Sequence, residues 1–226
     1  MFQPPLVSCL CPTANRREFI PQMLRCFTQQ DYPKIELIVL DDGDDKIGDL
    51  IPLDDRQQFS QLPRIRYFYE LPKKNHGQKM NRCMELASGE YCIVVDDDDW
   101  YAPNRISRQI QPLLDNPQIQ VSGTGQLYYR LHGANKAFRY VNLTDKKWIG
   151  AIAFRRSAWE NNRFEERGFG ADFYFINKIP YDQWCDLNDL TLMVSTIHAA
   201  NAAPKCIPSP SFVEVPWETV TAIIEG

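Results

Sequence analysis

Apolar runs that break straight into aspartates constrain this chain more than any other feature. IELIVL (residues 35–40) ends in DDGDD, and YCIVV (residues 91–95) ends in DDDDW. A continuous apolar run of that length, rich in β-type residues, reads as a strand buried on both faces. LVSCLC (residues 6–11) is a similar run that leads into PTANR, and RIRYFYE (residues 64–70) supplies a further strand. Between the runs, apolar residues recur at helical spacing. Phe19, Ile20, Met23, Leu24 and Phe27 form one such face, closed by Asp31-Tyr32-Pro33; Met80, Cys83, Met84 and Ala87 form another, closed by Ser88-Gly89. Strands and helices in alternation predict an α/β fold with a mostly parallel central sheet flanked by helices. Such sheets take their ligands outside the carboxyl ends of the strands. PTANR, DDGDD and DDDDW all emerge there.

The second half is less regular. A helix is expected from Arg105 to Leu114, strands over Val121–Leu131, Trp148–Phe154 and Leu190–Ile197, and a short helix over Asp172–Ile179. The tail, rich in Pro and Ser, is expected to wrap the surface. We read residues 1–226 as one domain, with 1–99 carrying the ligand edge and 100–226 forming a smaller half plus the tail. At 226 residues and 44% hydrophobic, the chain can bury a real core. A net charge of −4 gives no basic footprint for nucleic acid. No apolar run approaches the ~18 residues of a membrane span, and the opening MFQPPLVSCLCPT lacks the pattern of a secretory signal. The seven cysteines show no framework spacing and are expected to be reduced thiols of a cytoplasmic protein, with peripheral membrane association left open.

Four adjacent carboxylates are costly. At an effective dielectric near 20, two unit charges ~4 Å apart repel by about 4 kcal/mol. Solvation in a turn, a raised pKa or a bound cation would each relieve this. If the chain stays extended, Asp96 and Asp98 fall on one face. Oxygen ligands at the ligand edge suit Mg²⁺ or Mn²⁺, pointing to a cation between the protein and a diphosphate.

VSCLCPTANR, QQDYPKIELIVLDDGD, ASGEYCIVVDDDDWYAP and FRRSAWENNRFEERGFGAD, in that order, resemble the segments of family 2 glycosyltransferases with the GT-A fold. The resemblance implies a single Rossmann-like GT-A domain, with residues 1–99 as the nucleotide-sugar-binding half and 100–226 as the acceptor-side half. It implies a soluble, metal-dependent, inverting enzyme that moves one sugar from a nucleoside-diphosphate sugar, with uracil the favoured base. The acceptor is a hydroxyl of a glycan, glycolipid or protein.

Residue roles follow from the same resemblance. Pro12, Thr13 and Asn15 match the loop that touches the nucleoside. Asp41 and Asp42 match the acidic pair that holds the base, Asp42 being the better placed by the family pattern; an acidic acceptor suits the N3–H of uracil. Asp44 stands where the family usually has Ser. Lys74, Asn75 and Gln78 match the loop over the donor phosphates. Asp96-Asp97-Asp98 aligns with the DxD element: Asp98 is the main metal ligand, and Asp96 and Asp97 address metal, ribose or sugar. Asp99 is read as a helix-proximal residue rather than a ligand, and His76 as a surface loop residue. Asp172 occupies the general-base position, although Ala171 replaces the Glu that usually precedes it; Glu165 and Glu166 are the reserve candidates. His198 is a further candidate for metal or diphosphate. Trp148 and Trp159 could stack a sugar, but aromatics in so apolar a setting are read first as core.

No QxxRW element is present, which argues against a processive synthase. The acceptor half has little surface of its own, so a partner or a second copy of the chain is expected to complete it. Two other readings compete. A nucleotidyltransferase making nucleotide sugars would need a Gly-rich loop after the first strand, and CPTANRREF has no glycine. A catalytically dead nucleotide- or sugar-binding scaffold would explain Ala171 but not the intact acidic triplet.

Overall fold

The fold is that of a computed structural model, and the structure describes residues 3–52, 64–144, 147–201 and 207–226. The predicted apolar runs are strands: β1 (Val7–Thr13), β2 (Ile35–Asp41), β3 (Arg64–Tyr69) and β4 (Tyr91–Val94). They are parallel, in the spatial order β4-β1-β2-β3. β1 and β2 are buried along their whole length, as expected for inner strands of a sheet covered on both faces. The sheet extends through β9 (Gly150–Arg155) to β6 (Val121–Thr124) and β10 (Trp184–Asp186). β9 runs antiparallel to both of its neighbours, whereas β10 runs parallel to β6. The α/β class with a mostly parallel, helix-flanked sheet is as predicted.

Alternation along the inner strands separates two cores. Cys9, Cys11, Leu37, Val39 and Ile93 face one way, toward Ile20, Met23 and Phe27 of α1 (Ile20–Thr28) and Ile106 and Ile110 of α3 (Arg105–Asp115). Leu10, Ile38, Leu40, Cys92 and Val94 face the other way. They meet α2 (His76–Leu86), α4 (Arg156–Asn161) and α5 (Ala171–Ile176). Trp159 belongs to this second core, as expected, and its indole N–H donates to Asn81 Oδ1 at 2.9 Å.

The C-terminal half of the chain contributes a second sheet, in the order β12-β8-β7-β11-β5. Its strands are β5 (Trp100–Tyr101), β7 (Tyr128–Leu131), β8 (Ala137–Tyr140), β11 (Met193–Ile197) and β12 (Phe212–Val215). Two expectations need correction here. Val121–Leu131 is not one strand: the chain leaves the first sheet at Thr124 and enters the second at Tyr128, with Gly125 at the break. The tail does not merely wrap the surface. Phe212–Val215 pairs with β8, and Trp217–Glu225 forms α6, whose Val220 is fully buried. Among the described residues no helix is long and apolar enough to cross a membrane, and the six described cysteines are free thiols.

Candidate active site

The carboxyl ends of β1, β2 and β4 are stitched together by buried polar contacts. Thr13 Oγ1 donates to Asp97 Oδ2 at 2.5 Å, joining β1 to the acidic run. Lys79 Nζ, from α2, donates to Thr13 O at 3.1 Å and to Asp42 Oδ1 at 2.9 Å, joining β1 to β2. Asp42 Oδ2 accepts from Lys74 N–H at 2.7 Å. Asp41 is more fully engaged: its oxygens accept from Gly43 N–H, Ile47 N–H and the Tyr67 hydroxyl. Asn15 adopts the left-handed conformation (φ 55°) and its Oδ1 accepts from Asp44 N–H and Asp45 N–H. Its side chain thereby ties the first loop to the second.

The acidic run does not stay extended. The backbone turns at Asp97–Asp98 before β5, so strand alternation does not set the directions of these side chains. Each aspartate instead has its own setting. Asp97 is fully buried, and besides Thr13 it pairs with Arg16 at 2.7 Å. Asp98 Oδ2 meets three donors: Arg16 at 2.9 Å, His198 Nε2 at 2.8 Å and Asn201 Nδ2 at 3.2 Å. Asp99 accepts from Thr196 N–H at 2.7 Å and the Ser195 hydroxyl at 3.1 Å, which fastens the run to β11. Asp96 has a carboxylate without a hydrogen-bond partner among the described residues. Burial, reinforced by the charges of Asp98, Asp172 and Asp97 and opposed by Arg16, pushes its pKa up to about 7.

Asp96 and Asp98 line a cavity of about 320 Å³ together with Pro12, Arg16, His76 and Asp172. Asp172 sits in the first turn of α5, whose N-cap Gly170 has φ 68°. A carboxylate is electrostatically favoured there. It makes no side-chain hydrogen bond among the described residues. The reserve candidates lie elsewhere: Glu165 is paired with Lys178 and Arg167, and Glu166 accepts from Gln78. Asn75 and Gln78 form a reciprocal capping box at the start of α2, Asn75 Oδ1 accepting from Gln78 N–H and Gln78 Oε1 from Asn75 N–H. Their side chains are committed to the helix end.

Three residues of this site escaped the sequence reading. Arg16 neutralises Asp97 and Asp98, and its other terminal nitrogen donates to Ala200 O at 2.6 Å. Lys79 is a buried cation fixed by Asp42. His76, expected on the surface, lines the cavity instead. Its burial lowers its pKa, and the nearby Asp172 charge opposes that shift. The position of His76 follows from Gly77, whose backbone packs so closely on the 165–167 segment that an added Cβ would lie 1.8 Å from Glu165 O. Gly77 N–H donates to Arg167 O at 3.0 Å across the same contact.

The glycosyl transferase family 2 model matches residues 8–161, which span the stitched strand ends and the acidic run. The chain is 33% identical over 105 residues to the putative colanic acid biosynthesis glycosyl transferase WcaA of Escherichia coli, covering 46% of this chain and 36% of that protein. Its fold is similar to that of S. aureus TarS residues 1–349 in complex with UDP, at TM-score 0.64 and 19% identity, covering 84% of this chain and 60% of the other. It is likewise similar to a mannosyltransferase from Pyrobaculum calidifontis in complex with GDP-Man and Mn²⁺, at TM-score 0.63 and 18% identity, covering 90% and 58%. This chain therefore spans only about a third of the E. coli relative and three fifths of each structural neighbour. With the family model covering most of the chain, from the first strand through α4, this protein belongs to glycosyl transferase family 2.

Proposed function

We propose that this protein transfers a single sugar from a nucleoside-diphosphate sugar, with UDP the favoured carrier, to an acceptor hydroxyl with inversion at the anomeric carbon. One observation carries the reading: Asp96 and Asp98 share a single cavity with Asp172, whose carboxylate is uncommitted. The first pair suits the diphosphate end of a donor, and Asp172 suits a proton acceptor.

The donor set fits a divalent cation. Asp98 and Asp96 supply hard oxygens, and the charge crowding that raises Asp96 is what a cation would relieve; His198 would offer a ring nitrogen only on releasing Asp98 from Nε2 or Ala200 N–H from Nδ1. No three His, Cys, Asp or Glu side chains among the described residues form a ready metal cluster. In this reading the remaining ligands come from donor phosphates and water, as is usual for Mg²⁺ and Mn²⁺. The cation, when bound, neutralises negative charge on the departing diphosphate. The complexes of the two structural neighbours with UDP and with GDP-Man and Mn²⁺ support this class of donor and metal.

The protein's own residues then do the rest. Asp172 takes the proton of the attacking hydroxyl, which approaches the anomeric carbon from the face opposite the diphosphate. His76, kept neutral by burial, adds no positive charge that would weaken this base. Arg16 holds Asp97 and Asp98 in place while leaving Asp96 free. Thermal stabilisation by UDP, GDP, CDP and TDP, each with Mn²⁺ and with EDTA, tests the reading. A rise in Tm with one diphosphate that vanishes in EDTA is expected; no rise with any of them would overturn it.

A further inference from the structure

A second cavity, of about 530 Å³, lies in the acceptor-side half. Trp148 lines both this cavity and the one that holds Asp96, Asp98 and Asp172. The two spaces therefore adjoin through one indole, held in place by an edge contact with Tyr140 at 5.0 Å between ring centres. Two further aromatic residues line the second cavity, Tyr181 and Trp184, packed edge to face at 4.7 Å. Tyr181 is 45% exposed, so its ring is open to a ligand in the cavity.

The charge of this cavity is also distinctive. Arg139 and Lys147 line it, and neither makes an ion pair with a carboxylate among the described residues. The Lys147 ammonium stands 5.9 Å from the centre of the Tyr181 ring. The carboxylate in the lining, Asp186, has its Oδ1 accepting from Gly125 N–H at 2.9 Å and Asn188 N–H at 2.8 Å, and its single negative charge is outnumbered by the two cations. Aromatic faces beside uncommitted cations, in a space of this size, match the chemistry of a saccharide that carries an anionic group. The apolar face of a sugar ring lies on an aromatic ring, and guanidinium and ammonium groups meet a carboxylate or phosphate.

We propose that this cavity is a binding subsite for an anionic sugar unit of the acceptor, placed next to the unit that receives the transferred sugar. The acceptor is then an acidic oligosaccharide rather than a single small alcohol, and the indole of Trp148 separates its two units. This proposal rests on the transfer reading given above and specifies its acceptor.

Quenching of tryptophan fluorescence, with Trp148 and Trp184 in the lining, tests it on the full chain. Three probes are used: cellobiose, its uronic-acid counterpart cellobiouronic acid, and glucose 6-phosphate. Saturable binding of at least one anionic probe is expected, tighter than cellobiose by about tenfold or more and weakened by salt. The double variant Arg139→Gln/Lys147→Gln should remove that preference, and Tyr181→Ala should weaken every bound probe. Both leave nucleotide-induced stabilisation unchanged, because these side chains are exposed and lie outside the first cavity. Which anionic probe binds distinguishes a carboxylate from a phosphate. Equal binding of neutral and anionic probes overturns the proposal, as does failure of all three to bind a protein that is stabilised by nucleotide. Anionic saccharide binding without any nucleotide response would sustain the subsite and overturn the transfer reading instead.

Discussion

His198 Nε2 lies 2.8 Å from Asp98 Oδ2, linking a turn after β11 to the acidic run a hundred residues earlier in sequence. The imidazole packs against Phe19, with ring centres 4.6 Å apart and planes tilted by 36°. The oxygen it meets is the one shared by Arg16 and Asn201, so Asp98 is the node on which the N-terminal and C-terminal halves of the chain converge.

Removing that node should separate binding from folding. Asp98→Ala is expected to abolish Mn²⁺-dependent stabilisation by nucleoside diphosphate while the circular dichroism spectrum stays that of a folded α/β protein. A metal-dependent Tm shift surviving in this variant would exclude Asp98 as a metal ligand.

Asp172→Asn keeps the shape of the side chain and removes its basicity. Loss of a general base typically costs about 10²–10⁴ in rate. Sugar transfer should therefore fall by about a thousandfold with nucleotide stabilisation intact. A variant that retains transfer would move the base elsewhere.

Lys79→Met would leave Asp42 buried with its charge unpaired, since the Lys79 ammonium is its cationic partner. Breaking one side of a buried pair typically costs about 3–5 kcal/mol. Urea unfolding should show a loss near the lower end of that range, because Lys74 N–H still donates to Asp42. A loss under about 1 kcal/mol would mean that the pair is no more than a surface contact.

The raised pKa of Asp96 sets a pH dependence for the metal-free protein. Its folded value of about 7 exceeds the ordinary 3.8. The stabilising contribution of the protonated form is thus complete below about pH 4 and is lost as pH rises through 7. Asp96→Asn should raise the Tm at pH 8, by on the order of 2 kcal/mol in stability, and raise it less at pH 5. An equal change at both pH values would remove this carboxyl as the cause.

Gly77→Ala tests the seam between the two halves. The added Cβ would sit 1.8 Å from the carbonyl oxygen of Glu165, a backbone atom that cannot simply swing aside. A loss of roughly 2–3 kcal/mol is expected, together with weaker catalysis, because His76 is the preceding residue. Unchanged stability would mean that the 165–167 segment shifts freely.

The parallel half of the fold was legible because buried strands carry an unbroken apolar run. IELIVL and YCIVV needed no partner information to be recognised. The acidic run was equally plain, as four like charges have few structural explanations. Arg16, Lys79 and His76 were not legible, for a shared reason. Their partners lie far away in sequence, and an isolated Arg, Lys or His carries no local sign of whether it is buried. KKNHGQK looks like any polar loop, although Asn75 and Gln78 stand at the spacing of a capping box and could have marked the start of α2. The break between β6 and β7 was hidden by apolar and β-type residues continuing on both sides of Gly125.

Residues 95–99 carry the chain from β4, in the first sheet, to β5, in the second, with Asp99 bonded to β11. A shift of β5 or β11 relative to β4 would therefore reach the carboxylates of the cavity. If a nucleotide fixes this turn and thereby slows the breathing of the second sheet, reciprocity requires that anything steadying that sheet tighten the hold on the nucleotide by the same factor.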